Sequence, residues 1–324
     1  MKSDPNRFLV PVLPDLDAVN AVIREQMHSD IVLIGRIADY IINAGGKRIR
    51  PILLLLMAKA FGYQGRQHQT LAAVVEFIHT ATLLHDDVVD EAGLRRGLPS
   101  ANALFGNAAS VLVGDFLYTR AFQMMVSVNS MPVQQVLADA TNLIAEGEVM
   151  QLMNARSADL DETGYRRVIY AKTAKLFEAA CQLGAMTAGA SVQQTASAIA
   201  YGRALGNAFQ LIDDLLDYAS DADTMGKQAG NDLKEGKMTL PLIWLMQNGD
   251  EAQKTAIRRS IEENDGSCFE TVFDAVRNSG ALDYTYQMAK QEAEMAVNAI
   301  AGLPDSQYRQ SLIELSLFSV ERDY

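Results

Sequence analysis

Apolar residues recur at helical spacing, three and four apart, along almost the whole chain, and no stretch alternates with a period of two. DAVNAVIREQMHSDIVLIGRIADYIINAGG shows the pattern and closes on Gly45-Gly46, a plausible helix stop, and Pro51 suits the first turn of the next helix. The same spacing returns in QTLAAVVEFIHTATLLHDDVVDEAG, SVLVGDFLYTRAFQMMVSV, VQQVLADATNLIAEGEVMQLMNA, YRRVIYAKTAKLFEAACQLGAMTAGA and QQTASAIAYGRALGNAFQLIDDLLDYAS, and it continues to the C-terminus. Aromatics are only 7% of residues, which also favours helix over sheet. Several segments are apolar nearly all round, so they should be buried on most faces. No linker or composition shift divides the chain. The expectation is an all-α protein, a helical bundle of ten or more helices forming one domain over residues 1–324.

The net charge is −12, from 28 basic and 40 acidic residues. Non-specific nucleic-acid binding rests on Lys and Arg neutralising phosphates, so no nucleic-acid partner is expected. Cys181 and Cys268 sit in no metal-binding or CxxC spacing, which suits a reducing cytoplasm. The start of the sequence, MKSDPNRFLVPVLPDLDAV, has prolines and acids where a signal peptide needs an unbroken apolar segment. The most apolar run, PILLLLMAKAFG, is bounded by Pro51 and Gly62 and is shorter than the roughly 20 residues of a membrane span.

Two acid clusters interrupt this apolar background. LLHDDVVDEAGLRRG carries Asp86, Asp87 and Asp90, and LIDDLLDY carries Asp213, Asp214 and Asp217. On a helix the first and last acid of each cluster stack one turn apart. Half-buried like charges are costly unless cations neutralise them, and no basic residue lies within one turn of either cluster in sequence. Magnesium fits, because it binds a few carboxylates and completes its shell with water and substrate phosphates. Two such clusters facing each other across a cavity would hold a diphosphate through several ions. A di-iron centre would need two Glu-x-x-His pairs, and only Glu76/His79 exists. DADTMGKQAGND fails as an EF-hand loop at Met225 and Asp232, and GNDLKEGKM fails as a P-loop on spacing.

The basic residues suggest a second anion site. GGKRIRP sets Lys47, Arg48 and Arg50 at a glycine turn before a helix, an arrangement that binds phosphate well. Arg95 and Arg96 follow the first acid cluster, while Lys172-Thr173, Lys227 and Lys237 lie near the second half's helices.

With these motifs in this order the sequence resembles the trans-polyprenyl diphosphate synthase family, within it the bacterial octaprenyl diphosphate synthases. The resemblance runs from GGKRIRP through FIHTATLLHDDVVDEAGLRRG, GNAASVLVGDFLYTRAFQMM, AEGEVMQLMN, AKTAKLFEAA and FQLIDDLLDY to GKQAGNDLKEGKMTLPL. Leu98 and Ser100 depart from it, standing where Lys or Thr is common. The resemblance implies that the helical bundle surrounds a central cavity. It also implies a magnesium-dependent transferase, usually a homodimer, that adds isopentenyl diphosphate repeatedly to an allylic primer, here farnesyl diphosphate. The expected product is octaprenyl diphosphate for quinone (ubiquinone) side chains. The six aspartates would hold magnesium on the allylic diphosphate. Arg95, Lys172, Thr173, Gln210, Lys227 and Lys237 would contact that diphosphate, and Lys47, Arg50, His79 and Arg96 would bind isopentenyl diphosphate. His85 is expected to pack or to orient an aspartate. So apolar a product also calls for a peripheral membrane contact at delivery.

Product length should follow from what lines the tunnel below the first cluster. Ala81 and Thr82, five and four residues before Asp86, are small and leave it open. Met125 lies ten residues past Asp115, roughly 15 Å along a helix, and is the candidate floor, with Met124 and Phe122 as alternates. The competing readings are a heptaprenyl, nonaprenyl or shorter-chain synthase, a terpene cyclase, and a non-catalytic partner subunit.

Overall fold

The computed structural model describes residues 7–43, 45–219 and 230–321. Its α-helices are α1 (Leu13–Gln26), α2 (Val32–Asn43), α3 (Ile49–Ala60), α4 (Gln67–Val89), α5 (Ala101–Phe105), α6 (Asn107–Ser127), α7 (Met131–Asn154), α8 (Glu162–Ile169), α9 (Lys175–Thr187), α10 (Val192–Ala219), α11 (Asn231–Lys234), α12 (Leu240–Asn248), α13 (Glu251–Glu262), α14 (Phe269–Arg277), α15 (Ala281–Ala299) and α16 (Gln307–Glu321). The protein is all-α, as its periodicity predicts. Among the described residues the β-structure is a two-residue antiparallel ladder, Leu94–Arg95 (β1) against Leu98–Pro99 (β2). No described helix is long and apolar enough to cross a membrane.

The described residues group into two compact units. The first comprises the segments up to Thr141, Leu176–Gly202 and Ala299–Leu315; the second comprises Asn142–Lys175, Arg203–Asn298 and the residues from Ser316 on.

In the first unit α3 is the centre. Every residue from Pro51 to Ala58 is buried, which explains why this helix carries no polar face. Each of its leucines contributes about 1.5–3 kcal/mol by leaving water. Gly184 of α9 meets it at close range, since a Cβ there would lie 2.7 Å from the Leu54 carbonyl. Asp15 ties α1 to its neighbours through Lys59 at 3.3 Å and the buried His68 at 3.0 Å. The helices α4 and α6 pack together beside the loop that joins them. There the Ser110 hydroxyl donates to the Leu84 carbonyl at 3.0 Å. The His85 ring sits so tightly over Gly114 that any Cβ at 114 would overlap it.

The core of the second unit is built from Tyr165, Ile169, Leu211, Ile212, Leu240, Leu242, Ile257 and Val272, with Ala289 and Ala293 of α15. Local hydrogen bonds define its helix starts. Asp161 caps α8 by accepting from Gly164 N–H at 2.7 Å, and Asp250 and Gln253 form a reciprocal capping box at the start of α13.

Candidate active site

The first acid cluster lies at the C-terminal end of α4. Asp86 is half-buried, Asp87 is buried, and Asp90 is the residue at which the helix ends. The helix closes through Glu91 N–H to the Val88 carbonyl (3.3 Å) and Ala92 N–H to the Asp87 carbonyl (2.9 Å), with Glu91 in the left-handed region at φ 50°. This is the Schellman closure, made here without glycine. It turns the chain into the β1–β2 hairpin, whose central residues Arg96 (φ 55°) and Gly97 (φ 74°) both have positive φ, as a type I′ turn requires.

The hairpin brings both arginines back onto α4. Arg95 Nε donates to Asp87 Oδ1 at 2.7 Å and its Nη2 lies 2.5 Å from the same oxygen. One carboxylate of the cluster therefore has a protein cation, supplied eight residues away in sequence. The Arg96 guanidinium lies against the glycine turn, where a Cβ at Gly46 (φ 159°) would sit 2.8 Å from Arg96 Nη1. Arg48 takes a left-handed conformation at the start of α3 (φ 50°), and its Nη1 forms a buried ion pair with Glu76 Oε1. A non-glycine residue there costs about 1–2 kcal/mol, so the surroundings must hold it. Arg50 Nη1 lies 3.1 Å from His79 Nε2, and its guanidinium stacks over Phe177, 4.6 Å from the ring centroid.

His79 is the centre of this group. Burial, then Arg50, Arg96, Arg95 and Arg48, holds its pKa well below 6.5. The ring is neutral and Nε2 accepts from Arg50. Tyr40, Arg48, Glu76, Asp87, Arg95 and Arg96 line a cleft in the same unit. Lys47 is exposed. His85 faces α6 rather than the cluster: its Nε2 lies 3.2 Å from the Val111 carbonyl and 3.3 Å from Asp115 Oδ1. It packs, and the aspartate it meets is Asp115.

The second cluster lies on α10. Asp213 is exposed, Asp214 is buried and Asp217 is half-buried. Asp214 accepts from the Tyr165 hydroxyl at 2.5 Å and from Gln210 Nε2 at 2.8 Å. Gln210 Oε1 in turn accepts from Thr173 Oγ1 at 2.8 Å. Burial first, with the charges of Asp213 and Asp217 also contributing, raises Asp214 to a pKa of about 7 against those hydrogen bonds. Asp217 accepts from the backbone N–H groups of Asn231 (3.2 Å) and Asp232 (3.1 Å) at the start of α11. Asp232 is a fourth carboxylate here; burial, Asp217 and Asp214 raise its pKa, opposed by Lys237. Lys237 N–H donates to the Asp232 carbonyl at 2.8 Å, and its Nζ lies 2.6 Å from Glu235.

Lys172 and Thr173 lie in one turn of π-helix, Tyr170–Ala174, between α8 and α9. The Lys172 ammonium donates to Glu148 and Gln151 of α7, each at 2.7 Å. A Cβ at Gly147 would lie 2.9 Å from Lys172 N, so α7 approaches the π-turn at a distance only glycine permits. Lys227 falls outside the described residues. Ala81 is fully buried, the Thr82 hydroxyl donates to the His79 carbonyl at 2.9 Å, and Met124 and Met125 are buried on α6.

Among the described residues no three acidic, histidine or cysteine side chains converge as a ready-made cage. The donor set still suits a hard divalent cation that takes a few carboxylates and draws its other ligands from water and phosphate. The buried Asp214, whose ionised form burial disfavours, is the kind of group such a cation stabilises.

Sequence reasoning missed Tyr165, Glu148, Gln151, Glu76 and Asp232. Tyr165, Glu148, Gln151 and Asp232 reach the site from helices other than the one whose residue they meet, while Glu76 sits one turn before His79 on α4 itself, where a single Glu-x-x-His pair carried no signal for its role.

The polyprenyl synthetase family model matches residues 32–278, a span holding both clusters and every basic residue named above. The chain belongs to that family. Among its relatives is the octaprenyl diphosphate synthase of Escherichia coli (strain K12), 53% identical over 95% of this chain and 96% of that protein. The all-trans-nonaprenyl-diphosphate synthase (geranyl-diphosphate specific) of Rhodobacter capsulatus is 47% identical over 97% of each. The crystal structure of a polyprenyl synthase from Caulobacter crescentus CB15, complexed with calcium and isoprenyl diphosphate, superposes with a TM-score of 0.96 at 43% identity, covering 100% of this chain and 99% of that one. As a polyprenyl synthetase family member the chain is a prenyltransferase, and the calcium complex of its relative agrees with use of a divalent metal.

Proposed function

We propose that the protein extends an allylic primer, farnesyl diphosphate, with isopentenyl diphosphate units to give octaprenyl diphosphate, a precursor of quinone side chains. The observation that carries the reading is the Arg50–His79 contact beside a cleft lined by Arg48, Arg95 and Arg96, whose charges together with burial keep His79 neutral. That is an anion site, and it lies seven residues, hence about 10 Å along α4, from Asp86. One helix thus spaces two headgroups: isopentenyl diphosphate at Lys47, Arg50, His79 and Arg96, and the allylic diphosphate at the aspartates. A terpene cyclase has no use for the first of these.

Asp86, Asp87 and Asp90, and likewise Asp213, Asp214 and Asp217, would hold magnesium, which when bound would supply charge neutralisation for the departing diphosphate. Arg95, Lys172 and Lys237 add cations for that group, and Lys227, outside the described residues, belongs to the same proposal. Thr173 and Gln210 form one hydrogen-bonded chain with Asp214, so the carboxylate and the π-turn are oriented together. No residue is assigned as the base; the proton lost after each condensation goes to the departing diphosphate. The family match runs through both units, which supports reading residues 1–324 as one catalytic domain.

A homodimer in the cytoplasm belongs to the same proposal. Leu112 and Val126 on α6 are 67% and 59% exposed and Met131 is 71% exposed, apolar side chains of the kind that subunit contacts cover.

The test is to incubate the purified chain with magnesium, farnesyl diphosphate and labelled isopentenyl diphosphate and to size the dephosphorylated products. A dominant forty-carbon prenol is expected. A fifteen- or twenty-carbon product refutes the open tunnel at Ala81 and Thr82, and no elongation moves the weight to a partner subunit.

A further inference from the structure

No substrate-contacting role has been assigned to the Glu76–Arg48 ion pair. It joins the middle of α4 to the glycine turn before α3, with side chains only 8% and 15% exposed. Two features argue that it does more than fill a core. Arg48 adopts a left-handed backbone at φ 50° while standing between Lys47 and Arg50, two residues of the anion site. Strain of this kind persists only where surrounding contacts impose it, and it concentrates at functional sites. Glu76 also faces Arg96, whose positive charge it favours, and Arg96 rests on Gly46 of the same turn. Arg48, Glu76, Arg95 and Arg96 all line the same cleft.

We propose that Glu76 and Arg48 are a positioning pair for the isopentenyl diphosphate site, locking the 45–48 turn so that Lys47, Arg50 and Arg96 hold their geometry before the substrate arrives. The proposal rests on the functional reading above. A carboxylate placed among arginines opposes anion binding through space. Its presence in an anion pocket is therefore a net cost to affinity unless it organises the cations. The two roles predict opposite signs. A bystander charge, once removed, lets isopentenyl diphosphate bind more tightly; an anchor, once removed, lets it bind more weakly. Because α4 carries the anchor one turn from His79, the loss should fall on isopentenyl diphosphate and spare the allylic substrate.

The experiment measures KM for isopentenyl diphosphate at saturating farnesyl diphosphate, and the reverse, together with Tm. The variants are Glu76→Ala, Glu76→Gln and Arg48→Gly. Removing a supporting partner of this kind costs about 10–100-fold, so Glu76→Ala should raise KM for isopentenyl diphosphate by about tenfold or more, with KM for farnesyl diphosphate within about twofold of wild type. Glu76→Gln still accepts from Arg48 and should recover most of the loss. Arg48→Gly removes the anchor while easing the left-handed backbone, so it should match Glu76→Ala and carries the test if that variant does not fold. A KM that falls or stays put in Glu76→Ala or Arg48→Gly overturns the proposal, as does an equal rise in both KM values with a lowered Tm. Arg50→Gln separates the two levels. If it raises KM for isopentenyl diphosphate and Glu76→Ala does not, only the positioning pair fails. If neither does, the assignment of the pocket fails with it.

Discussion

At the scale of single residues, Asp214 shows how the site holds an awkward charge. The carboxylate is buried, under the proposed function it must be available to a cation, and two donors hold it: the Tyr165 hydroxyl and the Gln210 amide. Gln210 can serve only one way round, because its oxygen is committed to Thr173. Tyr165→Phe removes one donor and leaves a charged acceptor short, which costs about 1–3 kcal/mol at the carboxylate. The magnesium concentration giving half-maximal rate should rise about tenfold, with KM for isopentenyl diphosphate unchanged; a magnesium titration of initial rates checks this. The aspartates themselves were legible in the sequence, since acids repeating at helical spacing in apolar surroundings demand an explanation. Tyr165 was not, because a tyrosine on an amphipathic helix reads as ordinary core and its partner is 49 residues away.

His79 gives a pH signature at the same scale. Folding buries it next to Arg50 and near Arg96, Arg95 and Arg48, with Glu76 one turn back on its own helix, and its pKa falls well below 6.5. The unfolded chain therefore binds the proton first. His79 contributes to stability above pH 6.5, and that contribution is lost as pH falls below 6.5 toward the folded-state value. The Tm of His79→Gln should drop less between pH 7 and pH 5.5 than that of the wild type. Parallel thermal melts at both pH values decide it, and equal drops would show that His79 does not set this slope.

At the scale of elements, the helices were readable because their apolar period is intrinsic to the geometry of burial. What the period cannot show is where a helix is locally widened or interrupted. The segment YRRVIYAKTAKLFEAA reads as one helix, yet Tyr170–Ala174 is a π-turn. Such a turn is tolerated where it re-aims functional side chains, and this one carries Lys172 and Thr173. Its packing depends on Gly147, since an added methyl would press within 2.9 Å of the Lys172 nitrogen and the Ala171 Cβ. Gly147→Ala must push α7 away and take Glu148 and Gln151 from Lys172. We expect kcat to fall by about tenfold or more with a Tm loss of a few degrees, measured by steady-state kinetics and thermal melting. The β1–β2 hairpin escaped sequence reading for a different reason. Two residues per strand are too few to alternate, and the Arg96-Gly97 turn signals itself only through the need for two positive φ values.

At the scale of the whole molecule, one fold accommodates different products. Relatives that match nearly the full length of this chain carry octaprenyl and nonaprenyl names, so overall architecture cannot set chain length; a few lining residues must. We place them on the α4–α6 pairing. His85 meets Asp115, which fixes the level of the acid cluster on α6, and Met125 lies ten residues further on, about 15 Å along the helix. Ala81, fully buried on α4, is small and would present no bulk to a chain growing beside it. Met125 is 6% exposed, so two outcomes are physically open to its truncation. If it is ordinary core, Met125→Ala leaves a cavity, costs about 2–5 kcal/mol, and yields the same product from a less stable enzyme. If it is the tunnel floor, the space it vacates is filled by substrate during turnover, and the product grows by one or two five-carbon units. We predict the second result, read as a shift of the prenol band above forty carbons at unchanged primer and magnesium. An unchanged product length with a lowered Tm would return Met125 to the core and move the floor to another α6 residue.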